Sequence, residues 1–274
     1  MNIRVILFLG FVSFFTLFSF SENQVDTVSI FSTKMKIDVK SVIIKPQNYN
    51  PIKHYPVVYL LHGYSDNYAQ WVTAVPEIKT LSTQYQFIII CPDGGYSSWY
   101  FDSPIDPECQ FESYITSDLV RYIDTHYSTI ADRSHRAITG LSMGGHGALF
   151  LAIRYKNLFA QAGSMSGGVD LNASIGRFDI EKRLGEHDSN IDLWDRNSVI
   201  NIVDSLKNKE LNLLIDCGLD DFFHEINLNL HKKLISLKID HDYTERPGQH
   251  NWDYWTNSIQ YQLLFFHLCF EKSK

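Results

Sequence analysis

The stretch that decides the fold reads RAITGLSMGGHGALFLAI over residues 136–153. It begins as a short apolar run, turns at a serine with a glycine two residues to either side, and continues with helical apolar spacing. A Gly-x-Ser-x-Gly pattern between a strand and a helix is typical of a nucleophile elbow, centred here on Ser142. Such a turn strains the serine backbone, and a side chain at Gly140 or Gly144 would collide with a neighbouring strand or helix.

Apolar runs on both sides of the elbow alternate between strand-like and helix-like patterns. Strand-like runs cover residues 57–61, 87–91, 158–165, 211–217 and 242–246, and one or two antiparallel strands are expected within 24–45. Helical spacing covers residues 68–83, interrupted at Pro76, and residues 111–127, 199–207, 223–237 and 252–270. This alternation predicts an α/β fold with a mainly parallel sheet and helices on both faces. No repeat or linker divides it, so a single domain is expected over residues 23–274.

Several of the buried strands end in small or polar residues, and those ends should form one edge of the sheet. In open α/β sheets this edge carries the functional site. Taken in chain order, it offers His62-Gly63-Tyr64, Ser142, the neighbours Asp220 and Asp221, and His250. Serine, then acid, then histidine is the order of the α/β-hydrolase triad. The sequence therefore predicts an acyl-transfer site.

Each member of this set has a chemical role. Ser142 would attack an acyl carbon, and His250 would take its proton and later donate it to the leaving alcohol. Asp220 or Asp221 would hold the imidazole in the correct tautomer. Two donors are needed for the oxyanion, and the backbone N–H groups of Met143 and Tyr64 are the candidates. This chemistry requires no cofactor and no metal.

Other polar and aromatic residues of these loops have more than one interpretation. His62 is expected to orient its loop through a hydrogen bond instead of carrying a proton, and His146 to be a packing residue. Asp93, Trp99 and Asp102 either line the acyl or alcohol pocket or are structural. Aromatic residues make up 14% of the chain and cluster at 96–101 and 252–255, which is consistent with a cleft for ring stacking or with an aromatic-rich core; composition does not separate the two. The polar segment 167–197 is expected to lie above the sheet and shape the pocket.

The composition and the N-terminal residues predict where the protein is located and which classes of partner it has. Residues 1–22 contain one positive charge, an apolar stretch and a polar end, which is typical of a signal peptide; a retained membrane anchor is the alternative. We therefore expect a secreted or periplasmic protein without stable membrane association after cleavage. A formal charge of −7 and the lack of a basic stripe argue against a nucleic-acid partner. The four cysteines, Cys91, Cys109, Cys217 and Cys269, show no metal-site spacing, and no essential disulfide is expected. The oligomeric state is not predictable.

Four motifs together resemble the esterase-D-like family of α/β-hydrolases. They are LLHGYS at 60–65, GLSMGGHGA at 140–148, CGLDDF at 217–222 and PGQHNW at 247–252. That family includes tributyrin esterases, S-formylglutathione hydrolases, and the feruloyl and acetyl-xylan esterases of carbohydrate esterase family 1. The resemblance implies a triad of Ser142, Asp221 and His250 and oxyanion donors at Tyr64 and Met143. The stretch SWYFDS at 98–103 also resembles the family's loop beside the site, so that Trp99, Asp102 and Trp252 are candidates for substrate binding.

The resemblance favours one branch of the family. Tyr64 replaces the second of two loop glycines common in formylglutathione hydrolases, as in the secreted esterases. The resulting hypothesis is a secreted serine carboxylesterase that removes acetyl or feruloyl groups from plant polysaccharides or oligosaccharides through an acyl-enzyme. A mycolyltransferase-type acyltransferase, a general short-chain esterase and a non-catalytic carbohydrate-binding module are the alternatives.

Overall fold

An eight-stranded sheet organises the structure, a computed structural model that describes residues 24–272. Its strands are β1 (Val25–Phe31), β2 (Asp38–Ile44), β3 (Val57–Leu61), β4 (Ile88–Pro92), β5 (Arg136–Gly140), β6 (Gln161–Met165), β7 (Asn212–Gly218) and β8 (Asp242–Arg246). They lie in the order β1-β2-β4-β3-β5-β6-β7-β8. Strands β1 and β2 pair antiparallel with their neighbours, and β3 to β8 are parallel. The predicted fold class is therefore confirmed.

The helices follow the predicted segments with different limits. They are α1 (Gln70–Ala74), α2 (Ile78–Tyr85), α3 (Phe111–Ser113), α4 (Val120–His126), α5 (Met143–Arg154), α6 (Glu181–Leu184), α7 (Ile191–Asn197), α8 (Val199–Ile202), α9 (His224–Ser236) and α10 (Trp252–Glu271). The first predicted helix is split around Pro76, because proline cannot donate the hydrogen bond that would continue it. A π-helical stretch joins α3 to α4, and the helix expected over 199–207 ends in a 3₁₀ turn.

The buried apolar residues form two layers, one on each face of the sheet. Trp71 of α1, Ile78 of α2 and the inner side of α10 pack on one face. Helices α3, α4, α5 and α9 and the segment 167–197 pack on the other. The central strands β3, β4 and β5 are buried along their whole length, which explains why they read as continuous apolar runs and not as alternating patterns.

Parallel pairing brings the carboxyl ends of these strands to one edge. Leu61 at the end of β3 lies beside Gly140 at the end of β5, and Gly218 at the end of β7 lies beside Arg246 at the end of β8. The loops that begin at these positions carry all the candidate catalytic residues. No helix within residues 24–272 combines the length and apolar character needed to cross a bilayer. The predicted signal peptide, residues 1–22, lies outside the described part of the chain.

Candidate active site

Ser142 occupies a strained turn between β5 and α5. Its backbone has φ 54° and ψ −116°, which is a rare conformation for a residue with a side chain. A Cβ at Gly140 would lie 2.6 Å from backbone atoms of Gly144, and a Cβ at Gly144 would lie 2.5 Å from the carbonyl oxygen of His62. Because backbone atoms cannot move aside as a flexible side chain can, only glycine fits at these two positions. The elbow thus has the steric basis that the sequence pattern predicted.

His250 links Ser142 to a buried carboxylate. Its Nε2 lies 2.9 Å from Ser142 Oγ, and its Nδ1 lies 2.9 and 3.0 Å from the two carboxylate oxygens of Asp221. The loop that carries His250 follows β8 directly. Its ring packs against the rings of Phe222, Phe223 and Trp255, so the imidazole is held by apolar contacts as well as hydrogen bonds.

The two neighbouring acids differ completely in environment. The carboxylate of Asp221 is buried and accepts a 2.8 Å hydrogen bond from the Phe223 N–H in addition to the bond from His250. Asp220 is exposed, and its backbone N–H donates to the Gly248 carbonyl. The structure therefore brings Asp221, and not Asp220, to the imidazole. A buried carboxylate against Nδ1 holds the proton there and leaves Nε2 free to accept one from the hydroxyl.

Two backbone N–H groups remain available beside the hydroxyl. Met143 is the first residue of α5 and directly follows Ser142. Tyr64 follows Gly63, and a Cβ at Gly63 would lie 3.7 Å from Ser142 Cβ, so this loop runs close to the serine. The backbone hydrogen bonds of residues 24–272 provide no acceptor for either amide. Free donors at a helix N-terminus and an adjacent loop are suited to a developing oxyanion.

His62 holds the loop that carries Tyr64. Its Nε2 accepts a 2.7 Å hydrogen bond from the Gly94 N–H, so its proton is on Nδ1, which donates to the Gly63 carbonyl at 2.8 Å. The ring is buried and both nitrogens are engaged in backbone contacts. This geometry matches the expected orienting role and leaves no nitrogen for proton transfer to substrate.

An aromatic rim lies beside the triad, and sequence reasoning anticipated only part of it. We use this name for Tyr64, Tyr96, Phe178 and Phe222. Neighbouring rings contact each other at centroid distances of 5.0 to 6.3 Å, and Phe222 lies 4.2 Å from the His250 ring. Phe178 comes from the segment 167–197, which had no periodic pattern; Phe222 was visible only as the residue after the acid.

A hydrogen bond ties the rim to the segment above it. The Tyr64 hydroxyl donates to Asp179 at 3.3 Å, and Asp179 also pairs with Lys182 at 3.0 Å. Partial burial and the neighbouring Tyr96 and Asp179 side chains raise the pKa of Tyr64 to about 12, so the phenol stays protonated and remains a donor. The ammonium of Lys182 lowers the pKa of Asp179. This hydrogen bond therefore joins the loop after β3, which carries Tyr64, to the segment 167–197.

The predicted stacking surface at 96–101 requires correction. Trp99, Tyr100 and Phe101 are at most 1% exposed, whereas Tyr96 is 60% exposed. Trp99 packs against His146 and donates through its indole N–H to the Phe178 carbonyl at 3.1 Å. It supports the rim from below and offers no ring face to a ligand. Burying a large aromatic side chain is more favourable than leaving it exposed to solvent, and the segment 167–197 provides the cover.

Asp102 and Trp252 also lie away from the hydroxyl. Asp102 accepts hydrogen bonds from the N–H and hydroxyl of Ser113 and pairs with Lys34, so it holds the end of α3 in place. Trp252 packs edge-on against Trp71 and Trp255, and it is the ring of Trp255 that packs against His250. The hypothesis that Asp102 and Trp252 bind substrate has no support in these contacts. Asp93 accepts from the Gly95 N–H and shapes its turn.

His146 is a packing residue, as expected. It is buried against Phe101 and Phe150, and its Nε2 donates to the Asn197 carbonyl at 2.8 Å. Burial lowers its pKa to about 4. The folded protein therefore holds a neutral imidazole that the unfolded chain would protonate below about pH 6.5.

This difference predicts a pH-dependent stability. Between about pH 6.5 and pH 4 the unfolded chain binds the extra proton, so the free energy of unfolding falls as the pH falls. Between pH 7.5 and pH 5 the loss due to His146 should be about 2 kcal/mol. A His146→Gln variant can keep the bond to Asn197 and should lose that much less stability over the same interval. Urea denaturation of both proteins at the two pH values measures the difference, and equal losses would contradict the prediction.

Comparison with known proteins identifies the family. Residues 32–266 match a protein family whose description is "Putative esterase". The chain belongs to this esterase family. It is similar to an acetyl esterase of Caldicellulosiruptor saccharolyticus, at 28% identity over 74% of this chain and 79% of that protein. It is also similar in structure to a ferulic acid esterase, with a TM-score of 0.76, 28% identity, and coverage of 90% of this chain and 98% of the other.

Two mycobacterial relatives extend the comparison. The mycolyltransferase Ag85B of Mycobacterium leprae, also called a diacylglycerol acyltransferase, is 27% identical over 77% of this chain and 75% of that protein. An esterase of Mycobacterium tuberculosis is 28% identical to this chain, and the matched region is 51% of the length of that longer protein. The predicted family is thereby confirmed, and the esterase is a carboxylic ester hydrolase with an α/β-hydrolase fold.

Proposed function

We propose that this esterase is an exported serine carboxylesterase that removes acetyl or feruloyl groups from plant polysaccharides or their oligosaccharides. One observation carries the proposal: an unbroken chain of hydrogen bonds runs from Ser142 through His250 to buried Asp221 at the edge of the sheet. A serine hydroxyl is a poor nucleophile by itself, and this arrangement activates it. Export is suggested by the signal-peptide pattern of residues 1–22.

The first half-reaction forms an acyl-enzyme. Ser142 Oγ attacks the ester carbonyl carbon while His250 Nε2 takes the hydroxyl proton, and Asp221 stabilises the imidazolium. The carbonyl oxygen becomes negatively charged and is stabilised by the N–H groups of Met143 and Tyr64. When the tetrahedral intermediate collapses, the bond to the alcohol oxygen breaks and His250 donates its proton to that oxygen.

The second half-reaction releases the acid. A water molecule attacks the acyl carbon while His250 Nε2 takes its proton, and the same two N–H groups stabilise the oxyanion. The bond to Ser142 Oγ then breaks, and the imidazolium returns its proton to the serine. A sugar hydroxyl in place of water would give transfer in place of hydrolysis.

The rim and the relatives support the proposed substrate class. Exposed rings such as Tyr96 and Phe222 can stack on sugar or phenylpropenoyl groups. The similar proteins include an acetyl esterase and a ferulic acid esterase. A general short-chain esterase would need neither of these features, which is why the polysaccharide esterase is the favoured function.

A panel of three esters tests this choice. Methyl ferulate, acetylated xylo-oligosaccharides and tributyrin are compared by kcat/KM, with a Ser142→Ala protein as the blank. We expect one of the first two substrates to exceed tributyrin by about tenfold or more, a difference of roughly 1.4 kcal/mol in transition-state binding. Preference for tributyrin would instead identify a general short-chain esterase.

An acyltransferase is the second candidate, because the mycolyltransferase relative shares 27% identity with this chain. Product analysis with labelled acetyl donor and a large excess of xylobiose or trehalose separates the two. Hydrolysis predicts free acetate as the dominant product. Acetylated disaccharide as the main product would replace the hydrolase proposal by a transferase.

A further inference from the structure

The geometry points to Arg177 as a specificity residue that binds a carboxylate on the ester substrate, so that the esterase prefers anionic esters to neutral esters of the same shape. This inference rests on the proposed function and deepens it. It concerns which esters bind, and it makes no change to the chemistry at Ser142.

Arg177 lies on top of the aromatic rim. Its guanidinium carbon is 4.7 Å from the ring centroid of Phe178 and 5.5 Å from that of Phe222. Phe222 in turn lies 4.2 Å from the ring of His250. One aromatic side chain, Phe222, thus contacts both the cation and the imidazole of His250.

The N–H donors of the Arg177 guanidinium are available to bind a ligand. Arg177 is exposed, and the hydrogen bonds and ion pairs found within residues 24–272 give its side chain no acceptor. The nearby acid Asp179 is engaged by Lys182 and by the Tyr64 hydroxyl. A guanidinium presents five N–H donors in a planar fork, and two of them match a carboxylate. Stacking on two rings restricts the side chain, which lowers the entropy lost when it binds.

The backbone holds this arrangement at a cost. Phe178 and Asp179, the two residues after Arg177, both have positive φ values, 58° and 56°. For residues with side chains each such conformation costs about 1–3 kcal/mol and persists where the surrounding contacts enforce it. Here Trp99 binds the Phe178 carbonyl and Tyr64 binds the Asp179 carboxylate. These contacts hold the strained backbone in place, with Phe178 against the rings of Phe222 and Phe223 that pack on His250.

An anionic group can reach Arg177 from either half of the ester. In one case the acyl group carries the carboxylate, as in a half-ester of a dicarboxylic acid. In the other the alcohol carries it, as in a uronic acid beside an acetylated sugar. The chemistry of recognition is the same, and only the direction from the scissile bond differs, so the test has two arms.

The acyl arm compares 4-nitrophenyl hydrogen glutarate with its methyl ester, 4-nitrophenyl methyl glutarate. The alcohol arm compares 4-carboxyphenyl acetate with its methyl ester. We expect Arg177→Gln to lower kcat/KM for the anionic member of at least one pair by about 5- to 20-fold, mainly through KM, because a charge-assisted bond at an exposed site is lost. The neutral members should change by about twofold or less. Arg177→Lys should restore only part of the loss, since it keeps the charge without the fork.

Arg196→Gln is the matched control. Arg196 is an exposed arginine of the same covering segment, but it lies on the side of the molecule with Lys34 and Asp102. Its loss changes the net charge equally and should leave both ratios within about twofold. A fall of the wild-type preference at high salt, absent in Arg177→Gln, would support a direct ion pair.

Three outcomes overturn the inference. Equal losses on neutral and anionic esters would mean that Arg177 only covers the rings. An equal effect of Arg196→Gln would mean that the preference for anionic esters comes from the net charge of the protein and not from a direct contact with Arg177. Unchanged ratios in both arms would exclude carboxylate binding. The proposed function fails separately, if wild-type protein does not hydrolyse even the neutral esters or does so without Ser142.

Discussion

Replacing Ser142 by alanine is expected to lower kcat/KM for p-nitrophenyl acetate by about 10⁴- to 10⁶-fold. The hydroxyl that lies 2.9 Å from His250 Nε2 is the proposed nucleophile, and without it no acyl-enzyme can form. Any residual rate would come from the oxyanion donors and from substrate binding, which the substitution leaves in place. Release of p-nitrophenol measures the loss, and a fluorophosphonate probe should label the wild-type protein and not the variant.

The matched control is Ser236→Ala, which removes an exposed hydroxyl at the end of α9. It should retain activity within about twofold, and both variants should keep the wild-type unfolding temperature within a few degrees. A folded Ser142→Ala protein that keeps a substantial fraction of the wild-type activity would show that another group is the nucleophile.

Replacing Asp221 by asparagine should cost about 10³- to 10⁴-fold in kcat at neutral pH. The buried carboxylate holds the proton of His250 on Nδ1, so that Nε2 faces Ser142 as a base. An asparagine amide in this place can donate to Nδ1 and so favour the opposite tautomer, whose Nε2 already carries a proton. It also removes the charge that stabilises the imidazolium. Rates with p-nitrophenyl acetate measure the effect.

Asp220→Asn is a close control, because it makes the same chemical change one residue away. Asp220 is exposed, and within the described chain only its backbone N–H has an assigned contact, with Gly248. Its substitution should change kcat by about twofold or less. If Asp220→Asn had the larger effect of the two, the proposed triad would have the wrong acid.

Several strained backbone positions lie in the loops of the site, and others lie elsewhere, at Lys36, Gln86, Lys209 and Lys238. Positive φ values occur at Ser142, Ser166, Trp99 and Tyr100, as well as in the segment that carries Arg177. The Ser166 N–H donates to the backbone carbonyl of Asp216, and the Ser166 hydroxyl accepts from the Trp255 indole, the ring that packs on His250. Such conformations persist only where the surrounding packing enforces them. The two core layers therefore supply the free energy that keeps this site in a single arrangement.

Much of this architecture was readable in the chain. Strand β5, Ser142 and α5 follow from a local steric requirement at Gly140 and Gly144, which needs no knowledge of distant residues. The buried parallel strands follow from apolar runs, because a strand covered on both faces has no polar side. Helix limits were less predictable, as at α8, because short helices gain little from local propensity and depend on packing.

By itself, the sequence determined the elbow, the order of serine, acid and histidine, and the sheet edge at which they meet. Only the tertiary structure decided that Asp221 turns inward and Asp220 outward, that Trp99 is buried, and that Arg177 lies over the rings of Phe178 and Phe222. The physical reason is one of range. Steric and apolar patterns act over a few neighbours, whereas these positions depend on how non-periodic loops from separate strands pack together.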